Sequence, residues 1–533
     1  MDYLKNTHAI SFLGVPLIRK QGKCIDACTF LRFSLAGKSQ KLLVGADRLK
    51  PGCAGPGWKG GFYRKQNDLT NAGIAGMVNI RCIYKMNWLG EIELKNIDMT
   101  TGNPTKKILL FSLPIFLGNV FQQIYSMSDT LVVGRFLGKE ALAAVGSSSA
   151  LVVFINAILI GLCMGSGILF AEFYGAKKYK QLSDAVSTTV IFIFSVTVFI
   201  SAVCILFLDP LVRMFQVPED ALVLSKSYLR IIFAGLPFMF LYNIASAVLR
   251  AAGDSKTPLT FLILASVINV AFDFILVIYT PLGVKGPAWS TFAAQLFSGI
   301  PLCIFALKKL DFLDIGFRFN KTMFIRVAKY SLLTSLQQSI MNFGILLVQG
   351  LVNSFGIVAM AAFTAGVRID SFAYMPAQDF GNAFATYIAQ NKGAGKAERI
   401  REGFHSAILC STIFCGIISA AVCFFAPNLI ALFVPDDKAV IEAGVQYLRI
   451  EGAFYVLIGY LFLHYGFYRG LGHFYASTVL TLISLGIRVV FSYALVWLGF
   501  GLSSIWWSIP MGWALADIAG FIWYAKLRKD RVL

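Results

Sequence analysis

From Lys106 onward the chain alternates long apolar runs with short polar loops. About 20 apolar residues cross a bilayer as a helix. Runs of at least that length are read at 107–136, 141–173, 183–208, 224–249, 257–280, 284–307, 323–354, 358–390, 403–426, 439–468, 474–498 and 502–525. Membrane β-strands would instead be alternating segments of about 10 residues, and these runs do not alternate. The pattern predicts an all-α polytopic membrane protein with about twelve transmembrane helices.

Residues 1–98 are of another kind. They carry Gly/Pro punctuation (Pro51-Gly52, Gly55-Pro56-Gly57, Gly60-Gly61) and scattered Lys and Arg, with no run long enough to span. The apolar patch Ala9 to Ile18 lacks the order of a cleavable signal. The expectation is an N-terminal extension, weakly ordered or not part of the native protein, with Met99 as the true start of translation.

The rest of the chain repeats itself at an offset of about 218 residues. Tyr174-Gly-Ala-Lys-Lys parallels Lys392-Gly-Ala-Gly-Lys, and Leu137-Gly-Lys-Glu-Ala-Leu-Ala-Ala parallels Phe355-Gly-Ile-Val-Ala-Met-Ala-Ala. Tyr228-Leu-Arg-Ile recurs as Tyr447-Leu-Arg-Ile, and Arg250-Ala-Ala-Gly as Arg469-Gly-Leu-Gly. Each half has six spans, an even number, so both enter the membrane in the same direction. The expected architecture is therefore two six-helix lobes, 99–310 and 311–533, related by a pseudo-two-fold axis along the membrane normal with a cavity between them.

Composition agrees. Of 533 residues, 57% are hydrophobic and 14% charged, against about 45–50% and about 25% in soluble domains. The net charge of +19 would suggest nucleic acid in a soluble protein. Here Lys177, Lys178, Lys180, Arg250, Lys256, Lys308, Lys309, Lys392, Lys396 and the terminal Lys526 to Arg531 fall in one set of loops, so the positive-inside rule accounts for them. Both termini are placed in the cytoplasm, the protein in the cell membrane, and no nucleic-acid partner is expected. Six cysteines lie in apolar spans as small core residues. The four in the first segment match no zinc spacing.

Within this apolar background a few polar residues stand out. Asp129 is the one acid in a run otherwise uncharged from Ile108 to Gly134. A carboxylate inside a span costs about 2.5–3.5 kcal/mol on insertion scales and is a functional candidate by default. Gln122, Tyr125 and Asp129 share one helical stripe, and Gln122 and Tyr125 are candidates for substrate contact. Asn269 and Asp273 are i and i+4 on the fifth span, and Thr291 lies on the sixth. Asp129, Asp273 and Thr291 each sit about seven residues from the outer end of their helix, roughly 10 Å down. Two carboxylates, an amide and a hydroxyl at one depth suit a hard cation such as Na⁺, or form a dyad that exchanges protons. The plain alternative is a set of unrelated buried polar residues. Glu172 reads as solvated beside Lys177 and Lys178; Arg368 and Asp370 read as one local ion-pair network. Asp379, His464, Arg488 and Asp517 read as structurally paired.

No Walker loop, metal-binding His/Glu helix or nucleophile elbow occurs, so neither ATP hydrolysis nor another enzymatic activity is expected, and no cofactor. Energy must come from an ion gradient, about 2.3 kcal/mol per charge per 100 mV.

Several motifs together carry a resemblance. Gln122-Gln-Ile-Tyr-Ser-Met-Ser-Asp-Thr with Leu142-Ala-Ala-Val-Gly, Val248-Leu-Arg-Ala-Ala-Gly-Asp-Ser-Lys-Thr-Pro, Leu282-Gly-Val-Lys-Gly-Pro-Ala and Ala389-Gln-Asn-Lys-Gly-Ala-Gly resemble the multidrug and toxic compound extrusion (MATE) family over Met99 to Leu533. The resemblance implies a cation-coupled antiporter that exports small organic, often cationic, compounds, acting as a monomer. It also implies, by likeness to the DinF-like branch, a coupling site at Asp129, Asn269, Asp273 and Thr291 for Na⁺ or H⁺. The second-lobe carboxylates of another branch have no match: the seventh span offers Gln337, Gln338 and Asn342, and the tenth His464. Drug enters the cavity between the lobes; ion binding at the two acids then bends the first helix near Pro114 and Gly118. Two rivals remain, a flippase for lipid-linked sugars, disfavoured by a first-lobe cavity that reads as acidic, and a channel or membrane-embedded enzyme.

Overall fold

The computed structural model describes residues 96–214, 221–314, 316, 319–435 and 437–530, so the expectation for the N-terminal extension lies almost wholly outside the described residues. Fourteen α-helices and no strand occur among them. They are α1 (Pro104–Phe136), α2 (Lys139–Gly175), α3 (Tyr179–Leu206), α4 (Leu208–Met214), α5 (Leu222–Ala251), α6 (Lys256–Tyr279) and α7 (Lys285–Lys309) in the first half. The second half holds α8 (Lys321–Asn353), α9 (Ile357–Gly393), α10 (Ala397–Ala431), α11 (Lys438–Gly452), α12 (Tyr455–Gly470), α13 (Phe474–Trp497) and α14 (Leu502–Lys529).

Local chemistry sets the helix ends. Asn103 caps α1 by accepting from the Lys106 N–H, with Pro104 in the first turn; Asn320 and Asp437 cap α8 and α11 in the same way. The two halves even turn corners alike. Gly138 and Gly356 precede α2 and α9 with φ of 85° and 94°, a left-handed conformation that glycine adopts without Cβ strain.

Among the described residues, eleven helices are long and apolar enough to span a membrane, and α11 with α12 forms a broken twelfth, bent by 52°. The most apolar stretches are only 22–56% buried within the protein. Side chains such as Leu113, Leu131, Phe199, Ile417 and Phe424 are left exposed, and a bilayer must cover them. The tenth span is thus not the continuous helix expected over 439–468. It breaks at Ala453 and Phe454, just after Gly452, where the Phe454 N–H turns back to the Glu451 carbonyl. Membrane helices tolerate such irregular backbone where protein surrounds it, and Glu451 is buried.

Packing repeats with the sequence. The helix pairs α2·α5, α5·α7 and α6·α7 in the first half answer to α9·α12, α12·α14 and α13·α14 in the second. The opening helix of each half also crosses over. α1 packs on α9 and α10 as well as α6, and α8 packs on α2 and α3 as well as α13. Ile108 and Phe111 of α1 accordingly sit in the second half's core with Phe384, Phe467 and Trp506, while Val327 and Tyr330 of α8 sit in the first half's core with Phe170, Phe233 and Phe240.

The Lys/Arg-rich loops lie at one end of the bundle, called here the basic end. There Glu172 of α2 receives Arg326 (3.3 Å) and Tyr330 (3.2 Å) of α8 and Lys392 (3.1 Å) of α9. Glu172 was expected to be solvated beside its sequence neighbours. Instead it is drawn into a cross-half network, because α8 and α9 bring the cations of the other half to it. Gln390 further donates to the Ala251 carbonyl (2.7 Å), and Arg399 to the Gly102 and Met99 carbonyls. Among the described residues, the hydrogen bonds and ion pairs between α1–α7 and α8–α14 lie at this end or at mid-depth, as with Asn119 and Asp379.

Candidate functional site

Three helices of the first half deliver the candidate ion site. The helix bounds place Asp129 seven residues before the end of α1, Asp273 six before the end of α6 and Thr291 six after the start of α7. Since α7 runs antiparallel to the other two, all three reach one level, as the depth count expected. The Asn269 amide donates to Thr291 Oγ1, and the Thr291 hydroxyl donates to Asp129 Oδ2, both at 3.5 Å, the long limit of hydrogen bonding. Asp273, wholly buried, faces the Asp129 carboxyl, with Ser290 beside it.

The decisive feature is what the oxygens lack. Asp129 Oδ1, Asn269 Oδ1 and both carboxyl oxygens of Asp273 are buried without a donor in bonding geometry. No ion pair among the described residues reaches either acid. Several acceptors converging without a donor form a site for a hard cation or a shared proton; two facing carboxylates otherwise repel in a medium that screens poorly. Tyr228 of α5 lies near both acids and Tyr125 near Asp129. In the sequence Tyr228 stands out only as part of the repeat; it packs against the cluster of Val133, Ala141 and Val284, near the acids, because α5 packs against α7 and α2.

Gln122 and Tyr125 of α1 lie together and line a cavity of about 260 Å³ between the halves. Pro114, Gly118, Asn269 and Thr291 line it too, and its other wall comes from Asp379 and Asn382 of α9 and Arg469 of α12. α1 runs unbroken past Pro114 and Gly118, with Leu262 of α6 against the glycine. The cavity is not simply acidic, as expected: Arg250 and Arg469 line it as well.

The second half holds a different polar cluster around a cavity of about 300 Å³. Asp370 of α9 accepts from the Tyr447 hydroxyl (2.5 Å) and from the Tyr455 hydroxyl, with Glu451 and Arg488 beside it. The expected Arg368–Asp370 pairing is absent. Two residues apart on a helix, they point to opposite faces, and Arg368 is exposed while Asp370 is buried. His464 and Asp517 do pair, at 3.1 Å and buried. Asp379 accepts from Asn119 of α1 at 2.6 Å. Gln337 is buried with both amide atoms unpartnered.

A family model described as MatE matches residues 114–275 and again residues 333–494, an offset of 219 at both ends. The chain belongs to the MatE family. Its two matched segments are the two halves of the helix-packing repeat. Among curated relatives, the Bacillus subtilis (strain 168) protein named probable multidrug resistance protein YpnP is 30% identical over 433 residues, covering 81% of this chain and 97% of that one. The multidrug export protein MepA of Staphylococcus aureus (strain NCTC 8325 / PS 47) is 23% identical over 434 residues, covering 80% and 94%. A solved MOP superfamily transporter from Pyrococcus furiosus superposes with a TM-score of 0.76 at 25% identity, covering 80% of this chain and 97% of that one. The MatE fold, with its two lobes, is therefore the fold of this chain.

Proposed function

We propose that this MatE-family protein is a secondary active antiporter that exports small organic compounds in exchange for Na⁺ or H⁺. The observation that carries the reading is the set of donor-less buried oxygens on Asp129, Asn269 and Asp273. A site of this kind is neutralised by a small cation, and a gradient can drive such a cation into it. The relatives named for multidrug resistance and multidrug export support the cargo class.

In this mechanism the basic end faces the cytoplasm, as loop charge requires, and the joined state of that end is the outward-facing one. A compound held in the cavity near Gln122 and Tyr125 leaves outward when the ion neutralises Asp129 and Asp273. Ion and compound act on one helix, α1, since it carries Gln122, Tyr125 and Asp129. Each shifts the equilibrium by its preference for one state, which is the requirement for coupling. Bending of α1 at Pro114 and Gly118 is the movement proposed.

The test is ethidium efflux from proteoliposomes with Na⁺ and pH gradients imposed separately. Efflux driven by one gradient and not by the other names the ion. Efflux indifferent to both sinks the antiport reading.

A further inference from the structure

The opposite pole of the inter-lobe cavity has a chemistry that the ion site does not explain. Arg250 is the last residue but one of α5, and Arg469 the last but one of α12. They lie 219 residues apart, the same offset as the family match, and both line the cavity between the lobes. They also have neighbours on the same two helices. Arg250 lies near Tyr242 of its own helix, Asp379 of α9 and Cys163 of α2, while Arg469 donates to Met164 Sδ of α2 and, at 3.0 Å, to Asn382 Oδ1 of α9. Cys163 and Met164 adjoin in sequence, and Asp379 and Asn382 are one turn apart. The pseudo-two-fold therefore brings both guanidiniums to one patch at the basic end of the cavity.

That patch is under-compensated. Arg469 is only 4% exposed, and its partners are the Tyr465 carbonyl, a thioether and an amide, all neutral. Among the described residues no carboxylate lies within ion-pairing distance of either arginine, and the acid nearby, Asp379, spends Oδ1 on Asn119. Two guanidiniums against one carboxylate leave an excess positive charge in a poorly screened cavity, and buried charge is strongly unfavourable until paired. A guanidinium fork matches phosphate and carboxylate oxygens in geometry as well as charge.

We propose that Arg250 and Arg469 bind an anionic group, a phosphate or carboxylate, on the compound this protein exports. The proposal rests on the antiporter reading and extends its cargo from cationic drugs to organic anions and zwitterions, including anionic lipid headgroups. Asn119, Asn382 and Gln122, which line the same cavity, supply neutral hydrogen bonds to the rest of such a molecule.

The test uses a matched pair of flavins, riboflavin 5′-phosphate and riboflavin, which share a fluorescent ring and differ by one phosphate. With the full chain in phosphatidylcholine nanodiscs, the phosphorylated flavin is expected to bind at least about tenfold more tightly. The preference should vanish in R250Q/R469Q and persist in part in R250K/R469K, which keeps the charge but loses the fork. Equal binding of the two flavins by the wild-type protein overturns the proposal, with no variant needed. So does a preference that survives in a folded R250Q/R469Q protein. Adding phosphatidylglycerol to the nanodiscs names the source: displacement of the flavin assigns the site to lipid phosphate, and no displacement assigns it to a soluble anion. Wild-type ethidium efflux, measured beside these arms, tests the antiport reading by itself, so a failure of one is not mistaken for a failure of the other.

Discussion

A Cβ on Gly393 of α9 would lie 2.0 Å from the carbonyl oxygen of Glu172 on α2, and a Cβ on Gly175 would meet the Gln390 carbonyl oxygen at the same 2.0 Å. The two helices thus cross backbone to backbone at the basic end, each contributing a glycine to the other's carbonyl, as the pseudo-two-fold requires. No side chain larger than hydrogen fits in either place without a shift of the facing backbone.

Replacing Gly393 with Ala should force α2 and α9 apart. Overpacking of this kind costs about 1–3 kcal/mol, and the protein avoids it by leaving the joined state. The expected outcome is faster labelling of a cysteine placed at Ser331, buried at the basic end, by a membrane-impermeant maleimide. Unchanged labelling and an unchanged melting midpoint would show that the contact does not hold the two halves.

Asp129→Asn and Asp273→Asn should each reduce gradient-driven ethidium efflux to the level of protein-free vesicles while leaving melting behaviour near that of the wild type. The two acids face one another, Asp273 buried and Asp129 half-buried, with unpartnered oxygens on each, so the amide removes a charge that the folded protein does not itself neutralise. Substantial efflux in either variant refutes the assignment of the site.

Arg488 takes the repeat position of Asn269, 219 residues on, and stands beside Asp370 and Glu451. The second lobe carries its own cation where, in the mechanism proposed, the first lobe takes one from solution. Arg488 lines the same cavity as the two acids without an ion pair to either, so Arg488→Asn should destabilise the protein by less than about 3–5 kcal/mol, the cost of breaking a direct buried pair from one side. Adding Glu451→Gln should recover part of the loss. Additive effects in that double-mutant cycle would show that the two groups do not interact.

His473, in the turn between α12 and α13, is half-buried, and burial, reinforced by Lys392 and Lys329, holds its pKa below the ordinary 6.5. The unfolded chain therefore binds a proton more readily than the folded one, so this group's contribution is full above 6.5 and is lost as the pH falls below it toward the lowered native value. The melting midpoint of the wild type should drop more than that of His473→Gln between pH 7 and pH 5. Parallel pH profiles would show that His473 is not the group responsible.

The membrane spans, the two-fold repeat and the shared depth of Asp129, Asp273 and Thr291 were all legible in the chain. Partition between lipid and water is decided residue by residue, and a helix converts position along the chain into depth. Spacing alone also shows why Arg368 and Asp370 cannot pair, since two residues apart on a helix face opposite ways. Other features have no local signal. Glu172 meets Lys392 across 220 residues, Tyr228 lies near the two acids from a separate helix, and the tenth span breaks just after Gly452 within an apolar run. Arg250 and Arg469 look like ordinary loop-edge cations of the positive-inside pattern until the lobes close around them. The sequence by itself determined which segments enter the membrane and at what height each polar group lies. Only the tertiary structure decided which of them meet, because a polar group in an apolar medium takes whatever partner the packing of distant helices brings within reach.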